Sequence, residues 1–176
     1  MLSSTDSRSE LESRRLVFRR YCDEDLPFLE ALLANPEVMR YIGNGQVRDK
    51  AEARTFLSRI YDMYATGEMM GLRILERKTD RSAIGHAGIV LQVVDDAIEL
   101  EIGYWIAREY WMQGYATEAA ARLKEYGTQE LENSRFVSLI QPGNTGSRKV
   151  ALHIGMKLEK EIKRNGQDVL VYATCT

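Results

Sequence analysis

Two carboxylates two positions apart, Glu99 and Glu101, stand in the alternating run Glu99-Leu-Glu-Ile-Gly-Tyr-Trp-Ile106. A strand with that alternation turns both acids onto one face, where either could take a proton from a substrate. Just beyond, Trp111-Met-Gln-Gly-Tyr-Ala-Thr-Glu118 reads as a tight turn that opens a helix. The first turn of a helix leaves N–H groups unpaired and carries the positive end of its dipole, so the junction is a ready anion site. Gly114 lets a phosphate approach the chain closely, and Ala116 is the next smallest side chain two positions on. A phosphate-bearing ligand and a plain strand-to-helix turn both fit this spacing. Further along, Asn144-Thr-Gly-Ser147 places two hydrogen-bonding side chains at the start of another helix.

The elements that must carry these residues can be read from periodicity and punctuation. Leu16–Tyr21 reads as a first strand, and Asp23 or Asp25 can cap a following helix that runs through Leu33, with Pro27 tolerated in its first turn. Asp49 followed by Glu52 fits a capping box, Phe56, Ile60, Met63 and Tyr64 share one helical face, and Gly67 is a stop. Strands are expected at Met70–Leu75, Ala83–Val94 and Ala97–Ile106, with Asp95-Asp96 at a hairpin turn. A helix over Thr117–Leu131 packs Ala116, Ala120 and Leu123 on the sheet. Then come a strand Phe136–Ile140, a helix Asn144–Ile154 ended by Gly155, and strands Lys157–Arg164 and Asp168–Thr174 joined by the hairpin pair Asn165-Gly166. The order gives an α/β domain with a largely antiparallel sheet and no internal repeat.

A chain of 176 residues fits one domain. Its 44% hydrophobic and 28% charged residues are ordinary for a soluble globular protein. A formal charge of −2 gives no reason to expect direct nucleic-acid or anionic-membrane binding. Arg14-Arg15 and Arg148-Lys149 read as solvated faces or phosphate contacts rather than a nucleic-acid track. Residues 1–10 are polar and read as a flexible lead without an apolar signal segment, and no apolar run approaches the ~20 residues that cross a bilayer. Cys22 and Cys175 make no disulfide framework, so a cytoplasmic location is the simplest expectation, as a monomer or homodimer. Neither cysteine has a His/Asp framework around it, which argues against a cysteine acyl-enzyme.

Trp111-Met-Gln-Gly-Tyr-Ala116 resembles the acetyl-CoA loop Arg/Gln-x-x-Gly-x-Gly/Ala of the GCN5-related N-acetyltransferase (GNAT) superfamily, with Trp111 departing at the first position. With Gly103-Tyr104-Trp105 before it and Ala-Thr-Glu118 after it, the segment is similar to the branch containing the ribosomal-protein alanine acetyltransferases. The resemblance runs from Leu11 to Tyr172 and includes Asn144–Ser147 and His153-Ile-Gly-Met156, where the family often has Leu-Gly-Phe. It implies a single-domain α/β GNAT-like fold over 11–176, with a mostly antiparallel, centrally splayed mixed sheet flanked by helices. It also implies acetyl-CoA as cosubstrate, direct attack by an amine, and no metal.

By the same resemblance, Ile106 or Ala107 offers backbone hydrogen bonds to pantetheine, and the N–H groups of Gln113, Gly114, Tyr115 and Ala116 hold pyrophosphate. Arg108 and Gln113 add side-chain contacts. Tyr115 either covers the cofactor or packs, and Thr117 either caps the helix or meets phosphate. Glu118 complements the helix dipole, while Trp105 and Trp111 wall the junction. Asn144 caps its helix and touches pantetheine. A free alkylammonium has a pKa near ~10.4, so its proton must be accepted directly or through water, and the resemblance favours Glu101 over Glu99 for that task. Ser147 is expected to assist departure of the CoA sulfur, because Ala151 stands where relatives often have a general-acid Tyr; solvent is the alternative donor. His153 reads as helix packing or dipole stabilisation rather than a base.

Asn35–Asn44 and the helix Asp49–Thr66 are expected to shape the acceptor side, where Met39 and Tyr41 either line the site or belong to the core. The acceptor is an amine on a peptide or protein, a protein N-terminus among them. The alternatives are a small-amine or antibiotic acetyltransferase and a non-catalytic acyl-CoA-binding regulatory domain.

Overall fold

The fold is an eight-stranded sheet with helices on both faces, seen in a computed structural model that describes residues 10–175. The expected lead therefore lies outside the described residues, apart from Glu10. The strands are β1 (Leu11–Glu12), β2 (Leu16–Arg19), β3 (Gly71–Arg77), β4 (Ala83–Val94), β5 (Ala97–Ile106), β6 (Val137–Ile140), β7 (Met156–Arg164) and β8 (Gln167–Thr174). The helices are α1 (Leu26–Ala34), α2 (Pro36–Met39), α3 (Lys50–Thr66), α4 (Tyr115–Glu130) and α5 (Thr145–His153). The spatial order is β1-β2-β3-β4-β5-β6-β8-β7, antiparallel at every junction except β5–β6, which is parallel.

The two hairpins follow from residues that tolerate positive φ. Asp95 and Asp96 (φ 48° and 62°) join β4 to β5, and Asn165 and Gly166 (φ 51° and 78°) join β7 to β8. Both central residues of each turn are left-handed, which matches the right-handed twist of the flanking strands. The β4–β5 ladder is long and continuous, from Gly85↔Ile106 to Val94↔Ala97. It fixes which residues face which layer.

On one face, Ile84, Ile89, Ile102, Tyr104 and Phe136 pack beneath α4, where Ala119, Ala120 and Leu123 are buried. On the other, Leu72, Ile74 and Val90 pack with Leu29 and Leu33 of α1 and Leu57 and Ile60 of α3. Gly127 is required by closeness, since a Cβ there would stand 2.6 Å from Phe136 Cζ. The Asp49–Glu52 capping box opens α3, each side chain accepting from the other's N–H at 2.8 Å, and Gly67 follows its last turn.

Two local expectations need correction. Neither Asp23 nor Asp25 caps α1: Asp25 turns back to accept from Cys22 N–H and from both Nη atoms of Arg19, while Asp23 accepts from Tyr61 Oη. A forked guanidinium two positions upstream of Tyr21 offers charge-assisted bonds that outcompete a neutral cap. Thr117 does not cap α4, because the helix already begins at Tyr115 with Gly114 before it. In the segment between α1 and α3, Asn35 Oδ1 accepts from Glu37 and Val38 N–H and nucleates α2.

Candidate active site

The parallel pair β5–β6 meets in register at Glu101↔Val137 and nowhere else. Beyond that point the strands diverge, and each runs on toward the start of a helix, α4 after β5 and α5 after β6. Two helix N-termini thus flank the mouth of a fork, the arrangement in which open α/β sheets bind ligands. Ser138 Oγ bridges the fork by donating to Ile102 C=O at 2.9 Å, and Tyr104 Oη does so further out by donating to Ser147 C=O at 2.9 Å.

At the start of α4, Gly114 has φ 79°, a conformation that disfavours any side chain. The first intrahelical bond runs from Glu118 N–H to Gly114 C=O, so the N–H groups of Tyr115, Ala116 and Thr117 precede any intrahelical acceptor. Arg15, from the segment entering β2, adds a cation here. Its Nε donates to Glu118 at 2.6 Å, its Nη1 to Gln113 C=O at 2.9 Å, and its guanidinium lies 4.2 Å from the centre of the Tyr115 ring. Burial opposes the charge on Glu118, but hydrogen bonds from Ser13 and Arg15 outweigh it and hold that carboxyl below its usual range. These groups fit an anion, and Arg15 is the member that spacing alone left unresolved between a solvated face and a phosphate contact.

The neighbouring expectations divide. Tyr115 is buried under Arg15, so it packs rather than covers the turn. Gln113 is exposed and its side chain donates to Glu109 C=O. Ile106 ends β5, but its carbonyl accepts from Trp111 Nε1 at 2.7 Å and Ala107 N–H donates to Ile84 C=O, so part of that edge is already engaged. Arg108 reaches away to Glu37 on α2 at 2.9 Å while covering Trp111. Trp111 stands at the junction as expected. Trp105 faces the opposite layer, with its ring centre 4.7 Å from that of His86 and 5.6 Å from that of Phe56.

Glu101 occupies the crotch of the fork. Its Oε2 accepts from Gln92 Nε2 at 2.7 Å and its Oε1 from Leu139 N–H at 3.3 Å. Burial pushes its pKa up, while those two donors and the charge of Arg164 hold it back. A carboxyl so placed is a better proton acceptor than an exposed one and remains able to ionise. Glu99 has the same facing but a different occupation. Arg135 clamps both its oxygens at 2.7–3.1 Å and also holds Glu159, making an ion-pair bridge from β5 to β7. The bidentate partner leaves both Glu99 oxygens occupied and turned away from the fork's opening toward Arg135.

Across the fork, Asn144 Oδ1 accepts from Ser147 N–H at 3.1 Å and caps α5. Ser147 is half-buried in the first turn, with its carbonyl bonded to Tyr104. His153 Nδ1 pairs with Lys149 C=O on the exposed side of α5, away from the fork. On the acceptor side, Gln141 Nε2 donates both to Gly43 C=O (2.7 Å) and to Gln167 Oε1 (2.8 Å), tying the loop after α2 and the β7–β8 hairpin to the end of β6. Tyr41 packs on Gly143, where a Cβ would stand 2.7 Å from its ring. Met39 is wholly buried and belongs to the core. Tyr104 and Gln92 were not readable as site residues, since each reaches the fork only through the sheet's register.

Residues 15–157 match the family model described as an acetyltransferase (GNAT) domain. The uncharacterised protein YkkB of Bacillus subtilis (strain 168) is 34% identical over 168 residues, 95% of this chain and 96% of that protein. An acetyltransferase structure from Agrobacterium tumefaciens str. C58 superposes with a TM-score of 0.81 at 24% identity, covering 100% of this chain and 99% of that one. RimL, a ribosomal L7/L12 alpha-N-protein acetyltransferase solved with coenzyme A, superposes with a TM-score of 0.77 at 20% identity, covering 93% of this chain and 96% of that one.

Proposed function

Because the chain belongs to the GNAT acetyltransferase family, we propose that it transfers the acetyl group of acetyl-CoA to a primary amine, with a protein N-terminus first among the acceptors. The observation that carries this reading is the single-register fork at Glu101↔Val137 with a helix N-terminus at each prong. The branch resemblance in Gly103-Tyr104-Trp105 puts a protein N-terminus ahead of small amines, and RimL, a ribosomal L7/L12 alpha-N-protein acetyltransferase solved with coenzyme A, has the same fold, which supports that order.

When bound, acetyl-CoA supplies an activated thioester carbonyl. The N–H groups from Gln113 to Thr117, with Arg15 beside them, hold its pyrophosphate, and Asn144 orients the pantetheine arm beside α5. Glu101 accepts the proton of the acceptor ammonium, directly or through one water, freeing the lone pair that forms the new C–N bond. As the C–S bond breaks, the new amide nitrogen gives up its second proton to solvent, and the departing sulfur takes its proton from Ser147 Oγ–H, which solvent replenishes. Both charges arise inside the fork, where fixed donors are most effective.

The test is a release assay for free CoA thiol. Peptides starting with Ala, Ser or Thr, polyamines and aminoglycosides are each offered with acetyl-CoA, and acetylated products are identified by mass. Peptide-dependent release supports the reading. Release with aminoglycosides or polyamines alone replaces the acceptor, and acetyl-CoA binding without turnover on any amine replaces the enzyme by a binding domain.

A further inference from the structure

Gln92 on β4 is in register with Glu99, yet its amide reaches diagonally to Glu101. The diagonal is available because Arg135 has already claimed Glu99 from the other side. Long side chains on one sheet face can span such a step. The far end of the same amide is fixed as well: Arg164, 72 positions away at the end of β7, donates from Nη2 to Gln92 Oε1 at 2.6 Å.

An amide has one accepting and one donating end. With a guanidinium at its oxygen, Gln92 can present only its NH2 to the carboxylate. Without Arg164 the amide is free to rotate and set its oxygen against Glu101, which would repel an ionised carboxylate. Among the described residues, the other charged and titratable groups beside Glu101 are Tyr104, on the opposite face of β5, and Glu99, ion-paired with Arg135. Arg164 Nη1 is buried without a partner among the described residues.

We propose that Gln92, polarised by Arg164, is a positioning residue that aims the Glu101 carboxylate into the fork and keeps it ionised there. The inference rests on the reading of Glu101 as the proton acceptor. Its first test does not, because ionisation is measurable without turnover.

The experiment is a carboxyl-carbon NMR titration of Glu101 in the full chain, compared with Gln92→Met and Arg164→Gln, alongside pH profiles of kcat/KM with one peptide acceptor. Gln92→Met keeps approximate length, Arg164→Gln removes the guanidinium, and thermal unfolding reports whether each variant folds. The Glu101 midpoint is expected to rise by about one pH unit or more in each variant, a tenfold loss of carboxylate at fixed pH below it. The acid limb of kcat/KM moves up by the same amount, with most of the loss recovered at high pH. A merely structural role would instead lower the rate equally at every pH. An unmoved midpoint in both folded variants overturns the proposal whatever Glu101 does. A moved midpoint with an unmoved rate profile leaves Gln92 in its role and removes Glu101 as the proton acceptor.

Discussion

Glu101 and Val137 are the one residue pair through which β5 and β6 are joined in register, and the proposed proton acceptor is itself a member of that pair. Moving Glu101 by one residue along β5 would turn it to the α4 face, and moving it by two would give it the position of Glu99, inside the reach of Arg135. The chemistry proposed for this carboxyl therefore depends on register as much as on residue type.

Glu101→Gln is expected to depress kcat/KM most near neutral pH, with the loss shrinking as pH rises and more of the amine is free. Because burial raises the Glu101 pKa, the acid limb of the wild-type profile should lie above the ordinary carboxylate range. Glu99→Gln should leave that profile in place and cost about 1–3 kcal/mol of stability through the broken Arg135 bridge. Rate profiles and urea unfolding of the two variants separate the roles; loss of activity in Glu99→Gln with a full rate in Glu101→Gln reverses the assignment.

Gly114→Val should weaken coenzyme A binding at least tenfold. A β-branched residue is strained at φ 79°, and its Cβ would lie 3.4 Å from Arg15 Nη2. Arg15→Gln should weaken binding in the same direction, more strongly at low salt. Calorimetric affinities of the folded variants check this, and unchanged values place the pyrophosphate elsewhere.

Ser147→Ala should lower kcat more than it raises the acetyl-CoA KM, since the hydroxyl is needed most as charge develops on sulfur. Proton donation of this kind is typically worth ~10²–10⁴-fold, with water able to restore part of it. The Asn144–Ser147 cap uses the Ser147 N–H and so survives the change. Single-turnover rates at saturating substrates, equal in both proteins, would exclude the role.

Acid should destabilise the fold through His86. It is fully buried against Phe56 and Trp105, its Nδ1 paired with Tyr21 Oη at 2.8 Å and its Nε2 without a partner among the described residues. Burial, aided by Arg48, lowers its pKa to about 3. Between that value and the unfolded value near ~6.5 the unfolded chain binds the extra proton, so stability is complete above the window and falls as pH drops through it. The slope from one such group is at most about 1.4 kcal/mol per pH unit. Denaturant midpoints from pH 7 to 4 should drop less steeply in His86→Phe; an identical slope rejects the attribution.

Much of the fold was legible because its signals are local. The bounds of β4 and β5 were readable to the residue, the Asp49–Glu52 pair fixed the start of α3, and Asn165-Gly166 fixed the last hairpin. The two-residue β1 and the four-residue α2 were not, being too short to show a period. The turn at Gly114 and the cap at Asn144 were readable for the same local reason. What distinguishes Glu101 from Glu99 is not local: Arg135, Gln92 and Arg164 lie 36, 9 and up to 72 positions from their partners and converge only once the sheet is assembled.

The two bridges across the fork, Ser138 to Ile102 and Tyr104 to Ser147, have a thermodynamic consequence. They set the spacing of the prongs during folding, so a cosubstrate entering the gap meets a preorganised opening and need not spend its own binding free energy to create one. Removing the outer bridge with Tyr104→Phe would shift that cost from folding to association: the resting protein would loosen around α5, and entropy of ordering would enter the binding step.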